Sequence, residues 1–126
     1  MSSEPVSVVF GAAAIGNRDP FIAEDYLNTV FSTLEAHNVK ILDTAQLYGE
    51  AEKRMGEVKA GNRFTIDTKW TGGWQAGWAT KENIVNSAKD SIKKLGVKQV
   101  CSRICSHRVL QAECCHGPLT KRQARL

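Results

Sequence analysis

Proline is scarce in this chain. There are 3 in 126 residues, and only Pro20 falls between the two ends. Helices and strands of ordinary length therefore meet no imposed break from Phe21 to Gly117. Long apolar runs are lacking too: none approaches the ~20 residues that span a bilayer. Met1-Ser-Ser-Glu-Pro5 has neither the basic start nor the apolar centre of a secretory leader. A cytoplasmic address without membrane contact is the expectation. In that reducing compartment disulfides are not expected. Glycines follow the first apolar run in Gly11-Ala-Ala-Ala-Ile-Gly16, but their spacing fits neither a dinucleotide fingerprint nor a phosphate-binding P-loop.

A one-sided charge is also missing from most of the chain. The formal net charge is +4, yet residues 1–100 carry 12 Lys and Arg against 12 Asp and Glu. The excess comes from Arg103, Arg108, Lys121, Arg122 and Arg125 against Glu113. All four cysteines and two of the three histidines lie in the same tail. This break in composition places a boundary near residue 100, between a globular part (1–100) and a divergent basic Cys/His-containing tail (101–126). The scattered basic residues come with no nucleic-acid-binding fold or aromatic platform, so nucleic acid is not an expected partner.

The informative stretch is Asp43-Thr-Ala-Gln-Leu-Tyr48-Gly-Glu, followed about twenty residues later by Thr65-Ile-Asp-Thr-Lys69-Trp70. Each half reads as a strand that delivers a polar residue at its carboxyl end: Val39–Leu42 into Asp43, and Phe64–Thr68 into Lys69. Catalytic groups of α/β sheets collect at those ends. A free phenol titrates near pH ~10 and is a poor acid at neutral pH. A neighbouring ammonium favours the phenolate and makes the phenol a better proton donor to a developing alkoxide. A carboxylate beside the amine keeps that amine charged and in place. Asp43, Tyr48 and Lys69 can fill these three roles.

Asp43-Thr-Ala-x-x-Tyr48-Gly with Lys69-Trp70, preceded by Val9-Phe-Gly11 as a matching first strand, resembles the aldo-keto reductase family, most closely its fungal aflatoxin-aldehyde-reductase-like branch. The resemblance runs from about Val8 to Val100. It implies an α/β (β/α)8 TIM barrel, NADPH, and reduction of an aldehyde or ketone to an alcohol, with secondary metabolism as the setting for that branch. The implied catalytic set is Asp43, Tyr48, Lys69 and a histidine after strand four. Gly11, Ala12 and Asp43 match the cofactor side. A complete barrel needs roughly 250 residues, so the expected fold is a partial barrel of about three and a half βα units with an irregular C-terminal tail. Much of the family's cofactor cradle comes from later strands, so weak NADPH binding and impaired reduction are expected of this chain alone.

In chain order, strand one is expected over Val6–Phe10, and on local sequence the glycines after it read first as a tight strand-to-helix turn, the resemblance alone giving Gly11 and Ala12 to the cofactor. Helix one is expected from Ala23 to His37, with Leu27, Val30, Phe31 and Leu34 as its core stripe. His37 reads as a helix-terminal residue. A short helix is expected from Glu50 to Lys59, with Met55 and Val58 inward and Ala51 where the family commonly has a capping serine. Thr80 should cap helix three, which carries Ile84, Ala88, Ile92 and Leu95 inward and stops at Gly96. Strand four should begin over Val97–Val100. Trp74 and Trp78, on a glycine-rich loop, read either as one wall of an apolar substrate pocket or as packing at the rim.

After Val100 the pattern breaks. His107 is the candidate for the family's histidine, but it stands about one residue late, and a one-residue slip turns a strand side chain to the other face. Cys101, Cys105, His107, Cys114, Cys115 and His116 are ligand types for zinc. Their spacing is not that of paired knuckles, and no metal is expected. The open edges of an unclosed sheet predict self-association. The rival to an enzyme is an inactive fragment or a partner-binding module.

Overall fold

The computed structural model describes residues 7–72 and 77–102, the last two by their backbone alone. Four parallel strands form one sheet in the order β1-β2-β3-β4: β1 is Val9–Gly11, β2 Ile41–Asp43, β3 Thr65–Thr68 and β4 Cys101–Ser102. Helices α1 (Glu24–Ala36), α2 (Ala51–Glu57) and α3 (Lys81–Leu95) fill the three crossovers. Three complete βα units and the start of a fourth strand are a partial (β/α) barrel, as the sequence predicts.

The sheet register explains which side chains meet. Phe10, Leu42 and Ile66 are level with one another and join the helix-facing core with Leu27, Phe31, Met55 and Leu95. One step further, Gly11, Asp43 and Asp67 are level, and by strand alternation they belong to the opposite face. Core packing is thus assigned to one face and polar chemistry to the other by a single-residue step.

Element boundaries shift from expectation for identifiable reasons. Strand one starts at Val9, because β2 begins only at Ile41, its register partner; Val6 lies outside the described residues. α1 buries Leu27 and Phe31 fully while Val30 and Leu34 pack at the edge of the core. α2 ends at Glu57, two residues early. Lys59 takes a left-handed conformation (φ 54°) and leads into a 3-10 turn at Ala60–Asn62. α3 matches closely: Thr80 Oγ1 accepts from Asn83 N (3.2 Å), and Gly96 ends the helix at φ 64°. Val97 and Val100 do not yet belong to β4. They pack against the core first, with Val97 over Gly61, where any Cβ would collide with it. The remainder of the tail, 103–126, lies outside the described residues.

The amino end of the sheet is closed by Arg63. Its guanidinium sits 5.4 and 5.9 Å from the ring centroids of Phe31 and Phe64 and pairs with Glu35 at 2.6 Å. That hydrogen bond holds the Glu35 carboxyl below its ordinary pKa. This structural cluster lies at the opposite end from Asp43 and Lys69.

Candidate active site

The site is built where β2 and β3 end. Their ladder continues past the strands, through Thr44 N to Asp67 O (2.8 Å) and Gln46 N to Lys69 O (3.1 Å). The two loops therefore leave the sheet side by side. Lys69 Nζ donates to Asp43 Oδ2 at 2.6 Å and to the Thr44 carbonyl at 3.1 Å. The same ammonium lies 5.4 Å from the ring centroid of Tyr48, within cation–π range. Asp43, Tyr48 and Lys69, separated by up to 26 residues in sequence, are thus gathered around one amine. The lysine and aspartate side chains are 19% and 32% exposed, so the amine is screened by protein while remaining open to a ligand.

Gly11 and Ala12 stand beside this group but differ. Gly11 is exposed, level with Asp43, and a Cβ placed on it would meet nothing within 4 Å. Ala12 is fully buried, and its N–H donates to the Asp43 carbonyl (2.8 Å). The strand-end backbone at Gly11 is therefore open beside Asp43. Trp78 is 47% exposed on the segment entering α3, where its carbonyl accepts from Asn83 Nδ2 (3.0 Å) and Thr80 N (2.8 Å). Trp74 and His107 lie outside the described residues. His37 is exposed at the end of α1, away from the site. Among the described residues no cluster of His, Cys, Asp and Glu could hold a metal ion, and no helix is long and apolar enough to cross a membrane.

Three supporting elements escape a reading of the sequence. Asn17 Nδ2 shares its two hydrogens among Tyr48 O (2.7 Å), Ile15 O (3.0 Å) and Ala13 O (3.1 Å), while its Oδ1 accepts from Glu50 N (3.1 Å). This one amide ties the β1 loop to the Tyr48 segment. It also supports the start of α2, where Ala51 brings no capping side chain and Glu50 makes no side-chain cap. Glu52, 3% exposed, accepts from Thr68 Oγ1 at 2.7 Å and anchors the residue before Lys69. Gln46 binds α3 through two serines. Only the pairing of each side chain with partners across the fold reveals these roles, and local sequence carries no such signal.

Parallel strands alternating with helices define a barrel-type α/β protein, and an acid, an amine and a phenol are gathered at the carboxyl ends of its strands. Residues 7–108 match the aldo/keto reductase family, and the chain belongs to it. No curated protein matches the chain. Two solved structures, provisionally described as aldo-keto reductases from Pseudomonas aeruginosa, share the fold. One superposes with a TM-score of 0.62 at 18% identity, covering 76% of this chain and 40% of the other. The second has a TM-score of 0.64 at 20% identity, covering 76% and 39%. The chain thus spans about two fifths of the length of these structures.

Proposed function

We propose that this chain carries the reducing site of an NADPH-dependent aldo-keto reductase that converts an aldehyde or ketone to an alcohol. The observation that supports it best is the Lys69 ammonium bonded to Asp43 while lying against the Tyr48 ring. Tyr48 is the proton donor to the carbonyl oxygen. Lys69 stabilises the phenolate that Tyr48 becomes, because a nearby cation favours the charged form. Asp43 holds Lys69 in place, and the Thr44 carbonyl takes a second ammonium proton. Gly11 and Asp43 are the described residues that fit the cofactor's nicotinamide end. When bound, NADPH supplies hydride to the carbonyl carbon. His107 is the candidate for a second group on the carbonyl oxygen, and Trp74 and Trp78 for the wall of an apolar pocket. An aromatic or polyketide-like carbonyl in fungal secondary metabolism, handled in the cytoplasm, is the finer form of this reading. It rests on resemblance to the aflatoxin-aldehyde-reductase-like branch.

The test combines cofactor binding with one substitution. Binding of NADPH by the purified chain is read from quenching of tryptophan emission, and turnover of an aromatic aldehyde from loss of NADPH absorbance. Tyr48→Phe removes the proton donor and is expected to lower turnover by roughly 100-fold or more with cofactor binding retained. Turnover unchanged in Tyr48→Phe would overturn the assignment of Tyr48, and no binding at millimolar NADPH would overturn the enzyme reading for this chain.

A second reading is favoured by the sheet edge. Val8 and Val9 on the β1 side are 59% and 43% exposed, and unpaired strand edges template association. In this reading the chain pairs with a second copy or another chain. Light scattering across a concentration series should then show mass rising with concentration; a monomer at all concentrations rejects it.

A further inference from the structure

Gln46 stands between Asp43-Thr-Ala and Tyr48, and its side chain makes four hydrogen bonds to two other segments of the fold. Nε2 donates to the Ser87 carbonyl (2.9 Å) and to Ser91 Oγ (2.8 Å). Oε1 accepts from Ser87 Oγ (2.7 Å) and from Thr71 N (3.3 Å). A glutamine amide has two donor hydrogens and two acceptor lone pairs, so its capacity is filled. Its backbone N–H is used as well, on the Lys69 carbonyl. Three segments therefore converge on one residue: the loop carrying Tyr48, the segment from Lys69 to Thr71, and the inward face of α3.

The neighbours make this bond set consequential. Tyr48 follows Gln46 by two residues, and Lys69 precedes Thr71 by two. Ser91 is 1% exposed, so α3 presents a fixed, buried hydroxyl rather than a mobile surface group. With every bond satisfied, the amide has one orientation, and leaving half-buried partners unsatisfied is unfavourable. The two loops that bring phenol and ammonium together are thus referenced to a common post on α3.

We propose that Gln46, with Ser87 and Ser91, is the positioning element that sets Tyr48 against Lys69. It touches neither reacting group and acts through the two loops. The catalytic part of this inference rests on the function proposed above; the geometric part does not.

The deciding experiment needs no turnover. An ammonium arm lying on a phenol ring carries an upfield ring-current shift on the Lys69 ε-methylene protons, read by NMR after selective lysine labelling. Tyr48→Leu gives the value without the ring. In Gln46→Leu the shift should collapse toward that value while signals of the Arg63 cluster at the far end of the sheet stay in place. Ser91→Ala should move it part of the way, and this variant decides the matter if Gln46→Leu fails to fold. An unchanged shift in a folded variant overturns the proposal. In parallel, Gln46→Leu should lower kcat by about 100-fold, the scale of a 1 Å misplacement, with KM for the carbonyl substrate little changed. A KM effect with kcat intact would also overturn it. If the parent chain shows no reduction but the ring-current shift responds, the enzyme reading falls and the positioning role stands.

Discussion

Replacing Gly56 by alanine is expected to destabilise the chain by about 3 kcal/mol, the upper range for forcing one methyl into a packed site. A Cβ there would collide with the carbonyl oxygen of Lys94 and approach the backbone carbons of Lys94 and Leu95. These are main-chain atoms at the end of α3, so no side chain can rotate away and the helices themselves must separate. Moving α2 would disturb Met55 in the core and Glu52, whose carboxylate holds Thr68 beside Lys69. In a domain whose whole stability is about 5–15 kcal/mol, this corresponds to a fall in Tm of more than about 10 °C. Gly11→Ala is the matched control. Nothing lies within 4 Å of its Cβ, so stability should be unchanged, and only NADPH binding should weaken if Gly11 meets the cofactor. Calorimetry of the two variants checks both statements. Equal melting temperatures for Gly56→Ala and the parent would contradict the close packing of α2 on α3.

What the sequence discloses and what it hides follow from the range of the interactions. α3 was readable from both ends, because Thr80 and Gly96 act within a turn of their own positions. β1 and β2 were readable as apolar runs, and the polar residues Asp43 and Lys69 that follow β2 and β3 marked the site. Asp43, Tyr48 and Lys69 are identifiable by type and order, and the fold brings them together. Their supports are another matter. Asn17 looks like a turn residue before Asp19-Pro20, yet it binds Tyr48 and Glu50 across more than thirty positions. Ser87 and Ser91 fall beside the expected apolar stripe of α3 and look like solvated positions until Gln46 is seen to reach them. Gly56 sits inside a helix where glycine is locally unfavourable, and only the approach of Lys94 accounts for it. The late start of β4 has the same origin: Val97 is taken by the core before the chain can enter the sheet. Local chemistry is legible because its partners are near in sequence. Amide clamps and close helix contacts are not, because half of each interaction lies elsewhere in the chain.

Lys69→Met should separate catalysis from stability. Methionine retains the length and much of the packing of the lysine stem but carries no charge. The ion pair with Asp43 is partly exposed, and such pairs contribute at most about 1 kcal/mol, so the fold should survive with a small shift in melting temperature. The chemistry should not. Without the ammonium, the charge on the Tyr48 oxygen loses its neighbouring cation as the proton leaves, and Asp43 loses the amine it bonds. Loss of general acid catalysis is worth about 10²–10⁴ in rate, and Lys69→Met should fall in that range. Lys69→Arg restores the charge but replaces a compact ammonium by a wide planar fork. The geometry asks for one ammonium that bonds Asp43 and the Thr44 carbonyl while lying against a ring, so arginine should recover only a minor part of the rate. If Lys69→Met and Lys69→Arg were both fully active, the amine would be a structural tie between two loops and no part of the proton path. If methionine abolishes turnover while the melting temperature holds, then Asp43, Tyr48 and Lys69 form a chemical unit whose cohesion serves the reaction rather than the fold.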